Sequence, residues 1–150
     1  MPVKIKKSIR IKENREVIFD FTQDYSRRLK WDNFLKKAEL INAKTLRKDV
    51  KAWCVSKYGL EMETKYLSFN HPKVTAVKQN RKSLWFSVFS GSWRLEEIEK
   101  NKTEVCFTYS SILNFPFNLV QWLINSIWMK KVEQRLDDLK ENIEKGKIGL

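Results

Sequence analysis

From Ala52 onward the hydrophobic pattern of this chain changes period once. From Ala52 to Leu113 apolar and polar residues alternate in short runs, the period of two that a half-buried strand requires. Beyond Phe117 the apolar residues fall three and four apart: Val120, Ile124, Ile127, Trp128, Val132, Leu136, Leu139 and Ile143. That spacing predicts one amphipathic helix from Phe117 to Lys145, its stripe facing the sheet. Lys130, Glu133, Gln134, Asp137, Lys140 and Glu141 then face water. Asn114 can cap this helix, Pro116 suits its first turn and Gly146 stops it. At ~1.5 Å per residue, about 29 residues make a rod of roughly 43 Å, enough to cross a sheet.

The strands before the helix can be placed one by one. Val3-Lys4-Ile5-Lys6 and Ile9-Arg10-Ile11-Lys12 alternate apolar with basic, as an edge strand does. Asn14 can cap a helix from Arg15 to about Phe21, and Asp24 a second short turn from Tyr25 to Leu29. Residues 35–44 carry a weaker strand signal. Ala52 to Tyr58 and Glu61 to Phe69 flank Gly59-Leu60, which predicts a two-residue hairpin loop with Gly59 at positive φ. That register turns Trp53, Val55, Met62, Thr64 and Tyr66 inward and Tyr58, Glu61, Glu63 and Lys65 outward. Val74 to Gln79, Leu84 to Ile98 and Thr103 to Leu113 complete the set, with a bend or bulge expected at Gly91. A sheet with a single long helix to lean on must curl around it, and that grip leaves room for an apolar cavity.

Composition narrows the class. The chain has 150 residues, 42% hydrophobic and 13% aromatic, which suits one domain with a real core and excludes global disorder. No internal repeat or linker divides it, so residues 1–150 read as one domain. The net charge is +12, from 30 Lys and Arg against 18 Asp and Glu. Its densest patches are Lys4-Lys6-Lys7-Arg10-Lys12, Arg27-Arg28-Lys30 and Lys44-Arg47-Lys48-Lys51. They read either as a solvated lysine-rich surface or as attraction to RNA, an anionic membrane or an anionic ligand. Cys54 and Cys106, without a C-x-x-C, read as small buried hydrophobes in a reducing compartment. The basic, alternating N-terminus is unlike a signal peptide. The apolar run from Phe115 to Met129 is too short and too polar to span a bilayer, so the expectation is a cytoplasmic protein.

Several local motifs resemble one family. Asn14 to Phe21 resembles a first helix in which E-x-V-F/W-x-F is common. Arg27-x-x-x-Trp31-Asp32 resembles a short stretch ending in Trp-Asp. Gly91-x-Trp93-x-Leu95, followed by Lys102-Thr103-x-Val105, resembles a last hairpin. Taken with the order strand, two short helices, six strands and long helix, they resemble the START-like (SRPBCC, helix-grip) superfamily in its polyketide cyclase/dehydrase and lipid-transport branch. The resemblance implies an α+β helix-grip fold: a curved antiparallel sheet of about seven strands around a long C-terminal helix. It also implies that the N-terminal strand pairs with the last one. Carriers, receptors, cyclases and ring-hydroxylase subunits share the fold, so fold alone gives little function.

Alternation places Trp53, Met62, Thr64, Tyr66, Trp85, Phe89, Trp93, Phe107 and Tyr109 on the concave face, and the helix stripe turns Val120, Ile124 and Ile127 toward them. These residues read either as a filled core or as the wall of a cavity for a hydrophobic small molecule or lipid. Inward hydroxyls of Tyr or Thr need a partner, which a ligand head group or water can supply. A cyclase- or dehydratase-like enzyme is the alternative, with Tyr66, Tyr109 and Arg94 able to polarise a carbonyl, although Arg94 faces away from Trp93. An RNA- or ribosome-associated protein is a third reading. His71, the single histidine, sits in an Asn-His-Pro turn and reads as a loop residue. No metal centre, cofactor motif or phosphate loop is expected. Phe115, Phe117, Leu119, Trp122 and Leu123 exceed what one helix face needs. They belong either to a wider buried face or to an exposed patch for a membrane or partner.

Overall fold

A long helix needs a surface to bury its stripe, and here a single sheet supplies it. The computed structural model describes residues 3–145. The chain runs through β1 (Val3–Ile11), α1 (Arg15–Gln23), α2 (Arg28–Trp31), β2 (Leu35–Ile41), β3 (Lys51–Ser56), β4 (Glu61–Asn70), β5 (Val74–Gln79), β6 (Phe86–Glu99) and β7 (Lys102–Leu113). A 3-10 turn (Phe117–Val120) then leads into α3 (Gln121–Glu144). The seven strands form one antiparallel sheet in the order β1-β7-β6-β5-β4-β3-β2. The N-terminal strand pairs with the last, as the resemblance implies, from Val3 opposite Ser111 to Ile11 opposite Thr103. This is the helix-grip architecture, an open sheet around a C-terminal helix. Gly146 lies outside the described residues.

Where the alternation is strict, the structure follows it. In β7 every second residue from Thr103 to Leu113 is buried and those between are half-exposed. Val105, Phe107 and Tyr109 join Trp93 and Leu95 of β6, Ile5 and Ile11 of β1, and Ile18, Phe19, Phe21 and Trp31 of the short helices in one core. The second half of α3 closes that core with Val132, Leu136, Leu139 and Ile143. Polar contacts hold α3 along β1: Lys7 pairs with Glu133 at 2.8 Å, Lys140 donates to the Arg10 carbonyl at 2.7 Å, and the Lys12 amide donates to Glu144 at 2.9 Å. Asn14 caps α1 by accepting from the Val17 amide at 2.8 Å. The second short helix starts later than expected, at Arg28. Asp24 instead caps the turn before it, accepting from the Ser26 amide at 3.0 Å.

Three local features depart from simple alternation. The β3–β4 loop has three residues, not two. The Ser56 amide donates to the Leu60 carbonyl and the Gly59 amide to the Ser56 carbonyl, with Gly59 at φ +84°. That is a tight turn closed by a left-handed glycine, a conformation that costs residues with a Cβ. The changed loop pairs Trp53 with Glu63 and Cys54 with Met62, reversing the faces of β3. In β6 the register shifts between Phe86 and Val88 and again between Glu97 and Glu99, while pairing runs unbroken through Gly91. The expected bulge at Gly91 is therefore displaced toward the strand ends. The third departure is α3 itself, which carries no fully buried residue before Val132.

Candidate functional site

The concave face, α2 and α3 enclose a cavity of about 130 Å³. Its floor is built by alternation: Met62, Thr64 and Tyr66 from β4, Phe89, Gly91 and Trp93 from β6, and Phe107 and Tyr109 from β7. Gly91 leaves space at the centre of the floor, where a Cβ would meet Val77, the Thr108 carbonyl and Tyr109 at ordinary contact distances of 3.7–3.8 Å. From α3, Trp128, Val132 and Arg135 line the opposite wall, and Arg28 of α2 and Tyr25 close one side. Phe34, which packs on Trp128 at 5.3 Å between ring centroids, and Lys131, which contacts the Tyr58 hydroxyl, stand between the cavity and a shallow polar cleft outside.

Of the residues expected on the concave wall, Met62, Thr64, Tyr66, Phe89, Trp93, Phe107 and Tyr109 line this cavity. Five do not. Trp53 lies on the outer face because of the three-residue loop, where its indole donates to Glu61 at 2.7 Å. Trp85 precedes the first shift in β6, which turns Phe86 inward in its place; Trp85 stacks on Phe117 at 4.0 Å instead. Val120 and Ile127 are 41% and 50% exposed, and Ile124 is half-buried outside the cavity, because Trp128 takes the cavity-facing place in this part of α3, against Phe86 and Tyr109. Arg94 is exposed on the outer face, as alternation predicts. His71 is also exposed, 2.9 Å from Asp20.

Buried charge is the feature alternation does not reveal. Asp32 is fully buried and receives Arg28 Nε and Arg135 on one oxygen, each at 2.8 Å, and the Phe34 amide on the other at 3.2 Å. Burial by itself pushes the Asp32 carboxyl up. The charges of Arg135 and Arg28 outweigh that and hold it below its ordinary value, so it stays ionised. The same ion pair keeps the buried Arg28 charged. Arg28 also donates to the Thr22 carbonyl at 3.2 Å and lies over the ring of Trp31 at 5.0 Å. Beside it, the Tyr25 and Tyr66 hydroxyls meet at 2.9 Å and Tyr66 donates to Gln23 at 3.2 Å. Two sequence signals mark this network. Arg28 and Asp32 stand four apart across a helical turn, and Arg135 continues the stripe through Trp128, Val132 and Leu139. A charge on an apolar stripe calls for a buried partner.

The cavity thus combines aromatic walls with a few polar atoms, and two of these lack partners. The Tyr109 hydroxyl and Arg135 Nε are buried without a hydrogen bond. Burial pushes the Tyr109 phenol well up and Tyr66 up to about 12, so both are neutral donors near pH 7. Cys54 also lines the cavity, with its thiol pushed up by burial. Among the described residues no group of His, Cys, Asp and Glu could hold a metal ion, and no helix is long and apolar enough to cross a membrane.

The family model for polyketide cyclase / dehydrase and lipid transport matches residues 2–144. No curated protein matches the chain by sequence. Among solved structures, the Zhui aromatase/cyclase from Streptomyces sp. R1128 is similar with a TM-score of 0.83. The two are 9% identical over 96% of this chain and 94% of that one. A START superfamily protein from Mycobacterium smegmatis gives a TM-score of 0.80 at 9% identity, over 95% and 97% of the two chains. Norcoclaurine synthase from Thalictrum flavum gives 0.74 at 9% identity, over 98% and 97%. Identities this low speak for the shared fold, while the family model speaks for descent. Both agree with the seven-stranded grip on α3, and the chain belongs to the START-like family of polyketide cyclase/dehydrase and lipid transport proteins.

Proposed function

We propose that this protein binds or carries a small hydrophobic molecule, about one ring in size and bearing a hydrogen-bonding oxygen, in the cavity between α3 and the sheet. The observation that carries this reading is the unpartnered Tyr109 hydroxyl on an otherwise aromatic wall. A buried polar atom without a partner is costly, and a ligand oxygen would satisfy it. Size supports a ring. An apolar cavity of about 150 Å³ accepts benzene, whereas sites for drug-sized ligands run to about 300–1,000 Å³. At about 130 Å³ the cavity suits a single ring or a short acyl segment, and a whole lipid would require α3 to part from the sheet.

A cyclase-like reading draws on the aromatase/cyclase and synthase among the similar structures and on Tyr109 and Arg135 as donors able to polarise a carbonyl. Such chemistry also needs a group to accept a proton. Among the described residues no carboxylate or imidazole lines the cavity, and Asp32 has both oxygens engaged by Arg28, Arg135 and the Phe34 amide. Binding therefore has the better support. Native mass spectrometry of freshly purified protein, followed by organic extraction, tests it. A small hydrophobic adduct is expected in wild type and absent in Gly91→Leu, whose side chain fills the floor. An adduct that persists in Gly91→Leu would place the ligand elsewhere.

A further inference from the structure

The first half of α3 and the turn before it carry a set of large apolar side chains left exposed. Phe115 is 76% exposed, Leu119 66%, Trp122 72%, Leu123 43% and Ile127 50%. The segment leading into β6 adds Leu84 at 76%. Two contacts make these one surface. Trp85 stacks on Phe117 at 4.0 Å, and Asn114 donates to the carbonyls of Ser83 and Leu84 at 2.9 and 3.2 Å. The turn before α3 is thereby fixed to the lead-in of β6, with Leu84 beside one end and the helix face beside the other. Isolated exposed hydrophobes are ordinary, but six on one turn, the helix it starts and the adjoining lead-in to β6 are not.

The charges around the patch are mostly positive, with Glu61 and Glu63 lining a depression at its edge together with Lys82, Leu84 and Trp85. No acidic residue occurs between Glu63 and Glu96, nor between Glu104 and Glu133, the two stretches that build this end of the molecule. Lys82 and Lys130 stand exposed beside it. Arg81 is exposed as well, 3.9 Å from Glu63 at the edge of the region. An apolar face with a tryptophan and a cationic rim is the composition of a helix that lies in a lipid headgroup layer. A second copy of the chain, itself of net charge +12, would set the same cations against one another, whereas an anionic surface complements both the apolar face and the cations. We propose that this face docks on anionic phospholipid bilayers, with Trp122 and Leu119 inserted and Lys82 and Lys130 at the headgroups. The assignment does not rest on the cavity or its ligand.

Co-sedimentation tests it with vesicles of phosphatidylcholine alone and of phosphatidylcholine with phosphatidylglycerol, at low and high salt. Wild type is expected to bind the anionic vesicles, to bind the neutral ones about tenfold or more weakly, and to be released by salt. Leu119→Asp/Trp122→Asp should abolish binding, and Lys82→Glu/Lys130→Glu should lower it about tenfold or more. Because these side chains are exposed, the thermal midpoint of each variant reports that folding is intact. Binding that survives Leu119→Asp/Trp122→Asp would overturn the proposal, as would equal binding to both vesicles or none to either. A lipid-free dimer that Trp122→Asp dissociates would also overturn it, by identifying a second copy as the occupant.

Discussion

The two halves of α3 are continuous in sequence and opposite in environment. From Val132 to Ile143 the stripe is buried at 0–3% exposure, against β1 and the core, and its flanks are tied by Lys7–Glu133 and Lys140. From Gln121 to Met129 no residue is fully buried, and Trp122 is exposed while Trp128 alone reaches the cavity. The same three-and-four spacing runs through both. Periodicity thus reports that a face is apolar, not what covers it. The packed half closes the core and gives Val132 and Arg135 to the cavity wall, while the other half carries the open patch and gives the cavity Trp128.

The comparison can be broken hardest at Asp32, which joins the packed half to α2 through Arg135 and Arg28. Asp32→Asn strands two buried guanidinium groups and should cost about 3–5 kcal/mol in chemical denaturation. The wild-type carboxyl titrates below its ordinary 3.8, so its contribution is present above that pH and fades as pH falls through the lower folded value. The variant should lack that part of the acid limb. Next in size, Leu139→Ala in the packed half should lose about 2–5 kcal/mol. Trp122→Ala in the open half should change stability by only about 0.5 kcal/mol or less despite removing a larger side chain. Equal losses at the two sites would mean that both halves are packed.

A separate effect appears only in alkali. Tyr66 is raised by burial to about 12, so its contribution is intact below its ordinary value of 10.0 and is lost as pH climbs through the folded value. That displacement corresponds to about 3 kcal/mol at most. Tyr66→Phe should flatten the fall in stability over that range, measured by denaturation at stepped pH. An unchanged slope would mean that the phenol reaches solvent.

The sequence carried the fold further than the site because strand faces depend on single-residue events. In β7 nothing interrupts the alternation, and Phe107 and Tyr109 lie where the pattern puts them. In β3 one extra loop residue reversed the faces and exchanged Trp53 for Cys54. At the start of β6 a register shift exchanged Trp85 for Phe86. Neither insertion leaves a mark in composition, since Gly59 serves a two- or three-residue loop equally well. Arg28, Asp32 and Arg135 were visible as residues, but their meeting depends on how α2 rests against α3. Val120, Ile124 and Ile127 belong to the stripe by spacing, while Trp128 takes the place at the cavity.

The central claim is that Tyr109 presents its hydroxyl to a ring-sized ligand. It is tested most directly by calorimetric titration of wild type and Tyr109→Phe with p-cresol and with toluene, two rings that differ by one hydroxyl. Both should bind wild type once per chain, and the variant should lose about tenfold for p-cresol, roughly 1.4 kcal/mol, while toluene is held as before. An equal change for the two rings, or no binding of either to wild type, would contradict the account.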